Sequence, residues 1–308
     1  MLQTICTIQD DEQIEIIKAI SSVDEFKRNP NTRTKPRDEM FLHAEEIEAI
    51  EDESWMKDKH IDYFTSISRK QFPEIAALYN SPWLITGFPS IEGGKWMQIL
   101  NVNRNHWILA HQGFIEPINI IMVCDSMVRV AEEGHGNPKG EKLQENKHIT
   151  TEIKDAVAQI IKTPNKTFSL RSIPCQQQTD GFNCGVFAIA NATSLLLQGN
   201  LSNSNFDVTK MRPHLKMMLK TKTLTLFPTS RSKRTNTQFQ TTRDVDVPVY
   251  CTCRMSWHDK LRAKPGKGMV ECCTCFEWFH KDCDNIPKAA TQSVRTNWNC
   301  STCSAISA

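Results

Sequence analysis

The spacing of apolar residues changes twice along this chain, and the changes divide it into helical and extended stretches. Before residue 80 the spacing is helical. Glu12–Ile20 reads as one helix, Met40–Ile50 as a short acidic element, and Trp55–Phe64 as a helix with Ile61, Phe64 and Ile67 on one face. Phe72–Tyr79 reads as a further short helix, and Lys27–Arg37, with Pro30 and Pro36, as a basic linker. From Trp96 the period falls to two. Met97, Ile99 and Val102 predict one strand, Trp107–Ala110 a second, and the β-branched run Ile118–Cys124 a third. Glu132–Asn146 is a polar, Gly-containing loop. Thr151–Ile161 is an amphipathic helix stopped before Pro164, and Thr167–Ile173 is a strand. A helical stripe then starts at Cys184, runs through Val186, Ile189, Ala190, Leu196 and Leu197, and meets the stop signal Gly199-Asn200. Asp207–Leu219 is the last helix before polar residues 229–247, which read as a linker. Helices, then strands, then helices predict an α+β fold.

Composition narrows the class. The 308 residues suit two domains. A net charge of +2 gives no global field for nucleic acid or a membrane surface, so direct binding to either is not expected. No apolar run approaches 18 residues, and Met1–Ile20 mixes acidic with apolar residues, so neither a membrane span nor a signal peptide is expected. Of 12 cysteines, eight lie between Cys251 and Cys303. Without a secretory signal, that clustering reads as metal ligands in a reducing compartment.

Chemistry concentrates in Pro174–Phe187. A polar turn containing Gly181 ends at Cys184, where the helix begins, so the partial positive charge of the helix N-terminus favours a thiolate. A buried core cysteine is the competing reading. A nucleophilic cysteine needs a base, an orienter for that base, and donors for the oxyanion. His106, at a strand start, is the candidate base, with His60, His111 and His135 as competitors. Asp125, where a strand meets a loop, is the candidate orienter. Gln178, six residues before Cys184, and the Cys184 N–H are the candidate oxyanion donors.

From about Trp55 to Leu219 the chain resembles the ubiquitin-like-protein-specific cysteine proteases, which remove SUMO and related modifiers and share their core with the adenoviral protease. The matching motifs are His106-Trp107, Asp125-Ser126-Met127 and Gln178-x-x-Gly181-x-x-Cys184-Gly185. The resemblance implies an α+β, papain-like core spanning 38–228, with Cys184 as nucleophile, His106 as base, Asp125 as orienter and Gln178 as oxyanion donor. It also implies that Trp55 and Trp107 flatten the Gly-Gly tail of a modifier and that Asp58 helps hold the modifier. Catalysis of this kind takes no cofactor. Asn183 stands where SUMO proteases usually carry Asp, and the pattern is closer to divergent members carried by animal transposable elements. The expected reaction is cleavage after a C-terminal Gly-Gly. Acetyl transfer by the same thiol, and a relic domain on a chromatin-binding protein, are the alternatives.

The terminal segment, 248–305, has the spacing Cys251-x-Cys253, Cys272-x2-Cys275, His280-x2-Cys283, Cys300-x2-Cys303. Eight such ligands make two closed tetrahedral zinc sites, and a unit this small depends on the metal for its folding. The order of ligands, with Trp298 before the last pair, resembles the PHD finger. That resemblance implies a cross-braced pairing: Cys251, Cys253, His280 and Cys283 at one zinc, and Cys272, Cys275, Cys300 and Cys303 at the other. It further implies a histone H3 tail as partner, with Tyr250, Trp257, Met269 and Trp278 as the walls of a trimethyl-lysine cage. Cys273 has no assigned role, and Lys260–Lys267 is a basic insertion. Arg231-Ser232-Lys233-Arg234 and the PHD resemblance together suggest the nucleus, with the cytoplasm as the alternative. The N-terminal segment 1–37 has no assigned function.

Overall fold

The computed structural model describes residues 41–50, 53–80, 91, 94–127, 149–161, 163–201, 205–230, 244–255, 269–280, 283–284, 286 and 298–307. The expected elements in 1–37, the loop 132–146, His135, Trp257 and the insertion 260–267 lie outside them.

Six strands form one mixed sheet in the order β1 (Ala76–Ala77), β2 (Trp96–Val102), β3 (His106–Gln112), β4 (Ile121–Cys124), β5 (Thr167–Ser172) and β6 (Val245–Pro248). The central strands β2, β3 and β4 are antiparallel neighbours, β5 runs parallel to β4, and β6 closes the edge antiparallel to β5. Both faces of the sheet are covered, so β2 to β4 are buried almost throughout. One face carries Met97, Ile99, Trp107, Leu109 and Met122 into a core with helices α2 (Asp58–Gln71), α4 (Cys184–Gln198) and α5 (Val208–Thr221). The other carries Trp96, Leu100, Ile108, Ala110 and Val123 against α3 (Thr151–Ile161). A short α1 (Ala44–Glu48) precedes α2. No helix among the described residues is long and apolar enough to cross a membrane.

The strand–helix order agrees with the α+β expectation, and three local expectations change. Phe72–Tyr79 is not a helix. Ala77 and Leu78 sit at φ of 65° and 55°, and the Gln98 side chain accepts from the Tyr79 N–H at 2.7 Å and donates to its carbonyl at 2.9 Å. That long-range clip, together with pairing to β2, holds the segment extended. β4 begins at Ile121 rather than Ile118, because a turn closed by Ile120 N–H on the Pro117 carbonyl (3.3 Å) comes first.

The third change concerns the stretch 229–247. Thr229 bridges Phe206, and Ser230 N–H donates to the Asn205 carbonyl at 2.7 Å. Residues 245–247 are strand, not linker. Asp244 takes a two-pronged ion pair from Arg171 (2.5 and 2.9 Å), Asp246 accepts from the Ser169 hydroxyl (2.6 Å), and Val247 is buried in the sheet core.

The terminal unit follows without a break. Val249 N–H donates to the Lys166 carbonyl at 2.9 Å, Tyr250 bridges Met255, and the Met255 side chain joins the core under the sheet. Lys166 pairs with Glu277 at 2.9 Å. The hairpin β7 (Met269–Glu271) and β8 (Trp278–His280) and the short helix α6 (Ser301–Ser307) complete the unit around Val270, Phe279 and Ile286.

Val247→Asp therefore places an unpaired charge in the sheet core and is expected to cost about 3 kcal/mol or more of stability. Urea unfolding measures it, and a solvated linker would tolerate the change with no shift in midpoint.

Candidate active site and metal centres

The residues that converge are set by strand ends. Extending the antiparallel register of β3 and β4 (Leu109 opposite Cys124) brings the start of β3 beside the residue after β4. His106 Nε2 lies 2.7 Å from Asp125 Oδ1. Asp125 is 8% exposed, and the same oxygen accepts the Met127 N–H at 2.8 Å, so the carboxylate cannot swing away freely. Its backbone carbonyl is held too, by the Gln177 side-chain amide at 2.9 Å and the Cys175 thiol at 3.2 Å.

Cys184 is the first residue of α4 and is buried. The first helical bond runs from Phe187 N–H to the Asn183 carbonyl, so the N–H groups of the opening turn project from the helix end beside the thiol. The turn before it is built by Asp180. One carboxylate oxygen accepts the N–H groups of Phe182 and Asn183 (3.0 and 2.8 Å), and the other accepts the Asn183 side-chain amide at 2.8 Å.

The imidazole takes up the space between carboxylate and thiol. Burial works against its charged form, but the hydrogen bond to Asp125 and the interaction with Cys184 outweigh that, and His106 is pushed up to about 9. With Nε2 committed to Asp125, Nδ1 is buried with no hydrogen-bond partner among the described residues. That is the nitrogen left to exchange a proton with the thiol. The competing histidines are accounted for differently. His60 Nδ1 accepts the Lys57 N–H at the start of α2, and His111 is wholly buried and is pushed down to about 3 by burial.

Gln178 is locked on both sides. Ser126 donates to Oε1 at 2.8 Å, Nε2 donates to the Asp180 carbonyl at 2.7 Å, and the Gln178 N–H donates to the Ser126 carbonyl at 2.8 Å. One of the two amide hydrogens is used within the protein, and the second remains for an incoming oxyanion. The two glutamines before it do other work. Gln176 clips the Phe206 backbone, and Gln177 reaches the Asp125 carbonyl.

The three residues expected at the substrate tail divide by burial. Trp107 is 3% exposed, donates to the Met56 carbonyl at 3.0 Å and lies against Gly185. Trp55 is 49% exposed at the rim, and Asp58 is exposed in the first turn of α2. Gly185 has no room for a side chain, since an added Cβ would lie 2.6 Å from that of Met56 and 3.1 Å from the Trp107 ring.

Two residues that shape this site carry no assigned role from sequence. Asp180, three before Asn183, has the spacing of a side-chain turn cap and was open to detection. Arg212 was not, because a basic residue in an amphipathic helix gives no local sign of burial. It is 4% exposed.

Residues 97–225 match the model of the Ulp1 protease family, C-terminal catalytic domain. Over this segment the chain is similar to the Ulp1 proteases, which supports a cysteine-type peptidase. A curated relative, ubiquitin-like-specific protease 1 of Saccharomyces cerevisiae, is 22% identical over 235 residues, covering 70% of this chain and 34% of the relative. The chain thus spans about a third of the length of that relative. Among solved structures, the SUMO protease Ulp1 with its catalytic cysteine oxidised to a sulfonic acid is 17% identical with a TM-score of 0.44. The alignment covers 67% of this chain and 96% of that one. The C-terminal Ulp1 protease domain in complex with Smt3, the yeast ortholog of SUMO, is 18% identical with a TM-score of 0.42, over the same shares.

In the terminal unit the candidate ligands gather into two groups, Cys251, Cys253, His280 and Cys283, and Cys272, Cys275, Cys300 and Cys303. Within each, all ligand atoms lie within 4.8 Å of one another. A tetrahedral zinc site has edges of about 3.8 Å between thiolates and about 3.6 Å between thiolate and imidazole nitrogen. The observed Cys275–Cys300 separation is 3.9 Å, and Cys253 Sγ to His280 Nδ1 is 3.3 Å. Backbone N–H groups of Cys300 and Cys303 point at the sulfurs of Cys272 and Cys300 (3.3 and 3.4 Å), as negative thiolates require. The donor set and spacing therefore fit the metal. Cys273 is exposed and bonds to Asn299. Of the expected cage, Met269 and Trp278 are partly buried on β7 and β8, and Tyr250 packs against the unit's own core.

Because Asp125 and Cys184 hold the His106 charge against burial, the ring should titrate near 9, staying charged below that pH and discharging above it. Asp125→Asn removes the carboxylate but leaves the burial, so the titration should move down by about 2 units or more. NMR of the imidazole carbon-bound protons measures it, and an unshifted titration would refute the assignment.

Proposed function

We propose that the protein is an isopeptidase or endopeptidase that cleaves after the C-terminal Gly-Gly of a ubiquitin-like modifier such as SUMO. The observation that carries this reading is the partly buried His106 imidazole, bonded to Asp125 and interacting with Cys184. In the proposed reaction the Cys184 sulfur attacks the carbonyl carbon of the terminal glycine. The oxyanion is received by the Cys184 N–H and the remaining Gln178 amide hydrogen. His106 gives its proton to the departing amine, the C–N bond breaks, and a thioester forms. Water then attacks the thioester while His106 takes its proton, releasing the modifier carboxylate and the thiol. Trp55 and Trp107 would flank the tail, with Gly185 at its closest approach, and Asp58 would meet the body of the modifier. The similarity to ubiquitin-like-specific protease 1 supports the modifier class.

A panel of modifiers ending in a vinyl-sulfone warhead tests this. Covalent labelling by at least one member should be lost in Cys184→Ala and fall by about 100-fold or more in His106→Ala. Absence of labelling by every modifier would refute the reading.

For residues 248–305 we infer a PHD-type unit that holds two structural zinc ions and reads a histone H3 tail, which would place the protein in the nucleus. Zinc supplies four strong bonds per site to a unit whose own core is small. Met269 and Trp278 lie on the same face of the β7–β8 hairpin, since each pairs across from the other's neighbour but one. Elemental analysis should find two zinc ions per chain, and strong chelation should unfold the hairpin and lower the melting temperature of the whole chain. An H3 peptide trimethylated on lysine should bind more tightly than its unmodified form, and equal affinity would remove the cage.

A further inference from the structure

The geometry points to Arg212 as a positioning residue that fixes the rim tryptophan relative to the nucleophile, an inference that rests on the proposed Gly-Gly cleavage. Arg212 stands in the second turn of α5 and is 4% exposed. Taking a guanidinium out of water is costly, so its donors must be used well. Nε donates to Asn183 Oδ1 at 2.9 Å, on the residue immediately before Cys184. Nη2 donates to the Ser54 carbonyl at 2.6 Å, on the residue immediately before Trp55. The same nitrogen lies 3.4 Å from the Phe182 carbonyl, and the guanidinium carbon is 5.7 Å from the Phe182 ring centroid.

One planar cation therefore ties two segments 129 positions apart, each ending next to a residue of the proposed site. Neither segment is regular structure at the point of contact, so no helix or strand ladder fixes their spacing. Helix α5 itself is anchored by Met211, Leu215, Met218 and Leu219 in the core. The polar head of Arg212 thus serves as the cross-link. A tail that must lie under Trp55 while its carbonyl meets Cys184 depends on that spacing, and a displacement of about 1 Å costs roughly 100-fold in rate. Lysine offers a point charge and cannot reproduce two divergent, planar contacts.

A double-mutant cycle tests the inference on the full chain. Arg212→Gln should lower kcat/KM on a Gly-Gly-linked modifier conjugate by about 100-fold, with Arg212→Lys recovering little of it. In a Trp55→Ala background the same substitution should cost about 10-fold or less, because the distance it sets no longer matters. Equal cost in both backgrounds would overturn the coupling and leave a merely structural arginine. Hydrogen exchange gives a second readout that needs no substrate. Amides at 54–56 and 182–185 should exchange faster together in Arg212→Lys, which keeps the charge and the apolar stem should the glutamine variant fail to fold. Acceleration of one segment alone, or of neither, would also overturn it. If the wild-type chain cleaves no modifier, the cleavage reading fails by itself, and the exchange result still decides the role of Arg212.

Discussion

A partly buried imidazole bonded to a buried carboxylate sets the terms for everything around it. His106 and Asp125 meet at 2.7 Å where water is largely excluded, and such a pair is stable only if its remaining polar atoms are satisfied. The protein satisfies those of Asp125, with the Met127 N–H on the carboxylate and Gln177 and Cys175 on the carbonyl, and leaves His106 Nδ1 for the thiol. The segment 173–178 is itself an extension of the parallel pairing of β4 with β5, through Ile173 N–H on the Val123 carbonyl and Gln178 N–H on the Ser126 carbonyl. The sheet is therefore the ruler of the site. It fixes His106 from β3, Asp125 from β4 and Gln178 from the continuation of β5, and delivers the chain to the helix that opens with Cys184.

The same ruler extends outward to the terminal unit. β6 is the sixth strand of the sheet, and Val249, Tyr250 and Cys251 follow it directly into the first metal-ligand group. Met255, from the knuckle between ligands, is buried under the sheet. The ion pairs Arg171–Asp244 and Lys166–Glu277 flank this joint, but both involve exposed partners and add little by themselves. The apolar burial of Val247, Val249 and Met255 is the stronger contribution. A metal bound at Cys251, Cys253, His280 and Cys283 would thus act on a strand that borders β5, two elements from the imidazole.

How much of this was legible depended on whether its cause was local. The helix from Cys184 to Gln198 shows its start in a turn and its end in Gly199, which sits at φ 71°, and the helix over Thr151–Ile161 is written in its periodicity. His106 and Asp125 could be singled out because each stands at or beside a strand end, and Gln178 by its spacing from Cys184 in the loop before the helix. Tyr79 was not, because its conformation is dictated by Gln98 on another strand. Val245 and Val247 do alternate with Asp244 and Asp246, a strand signal that the polar residues before them concealed. Arg212 lies at the other limit. Its burial is decided by carbonyls of Ser54 and Phe182, far away in sequence, and nothing in its own helix announces it.

Gly185 shows why these distant contacts converge on one narrow place. A Cβ there would come within 2.6 Å of Met56, so the backbone of α4 and the segment 54–56 are pressed together without an intervening side chain. The Trp107 indole, bonded to the Met56 carbonyl, closes the gap from the sheet side. Three segments with no sequence proximity are therefore in contact at the residue after Cys184: the rim segment, the start of β3 and the start of α4. A small outward movement of the rim would open this contact, and the buried Met56 opposes it together with the polar cross-links, since Trp55 itself is half-exposed. The width beside the thiol is consequently set jointly by hydrogen bonds and by the core side chains Met56 and Trp107, and a substrate must be thin enough at its end to enter without displacing them.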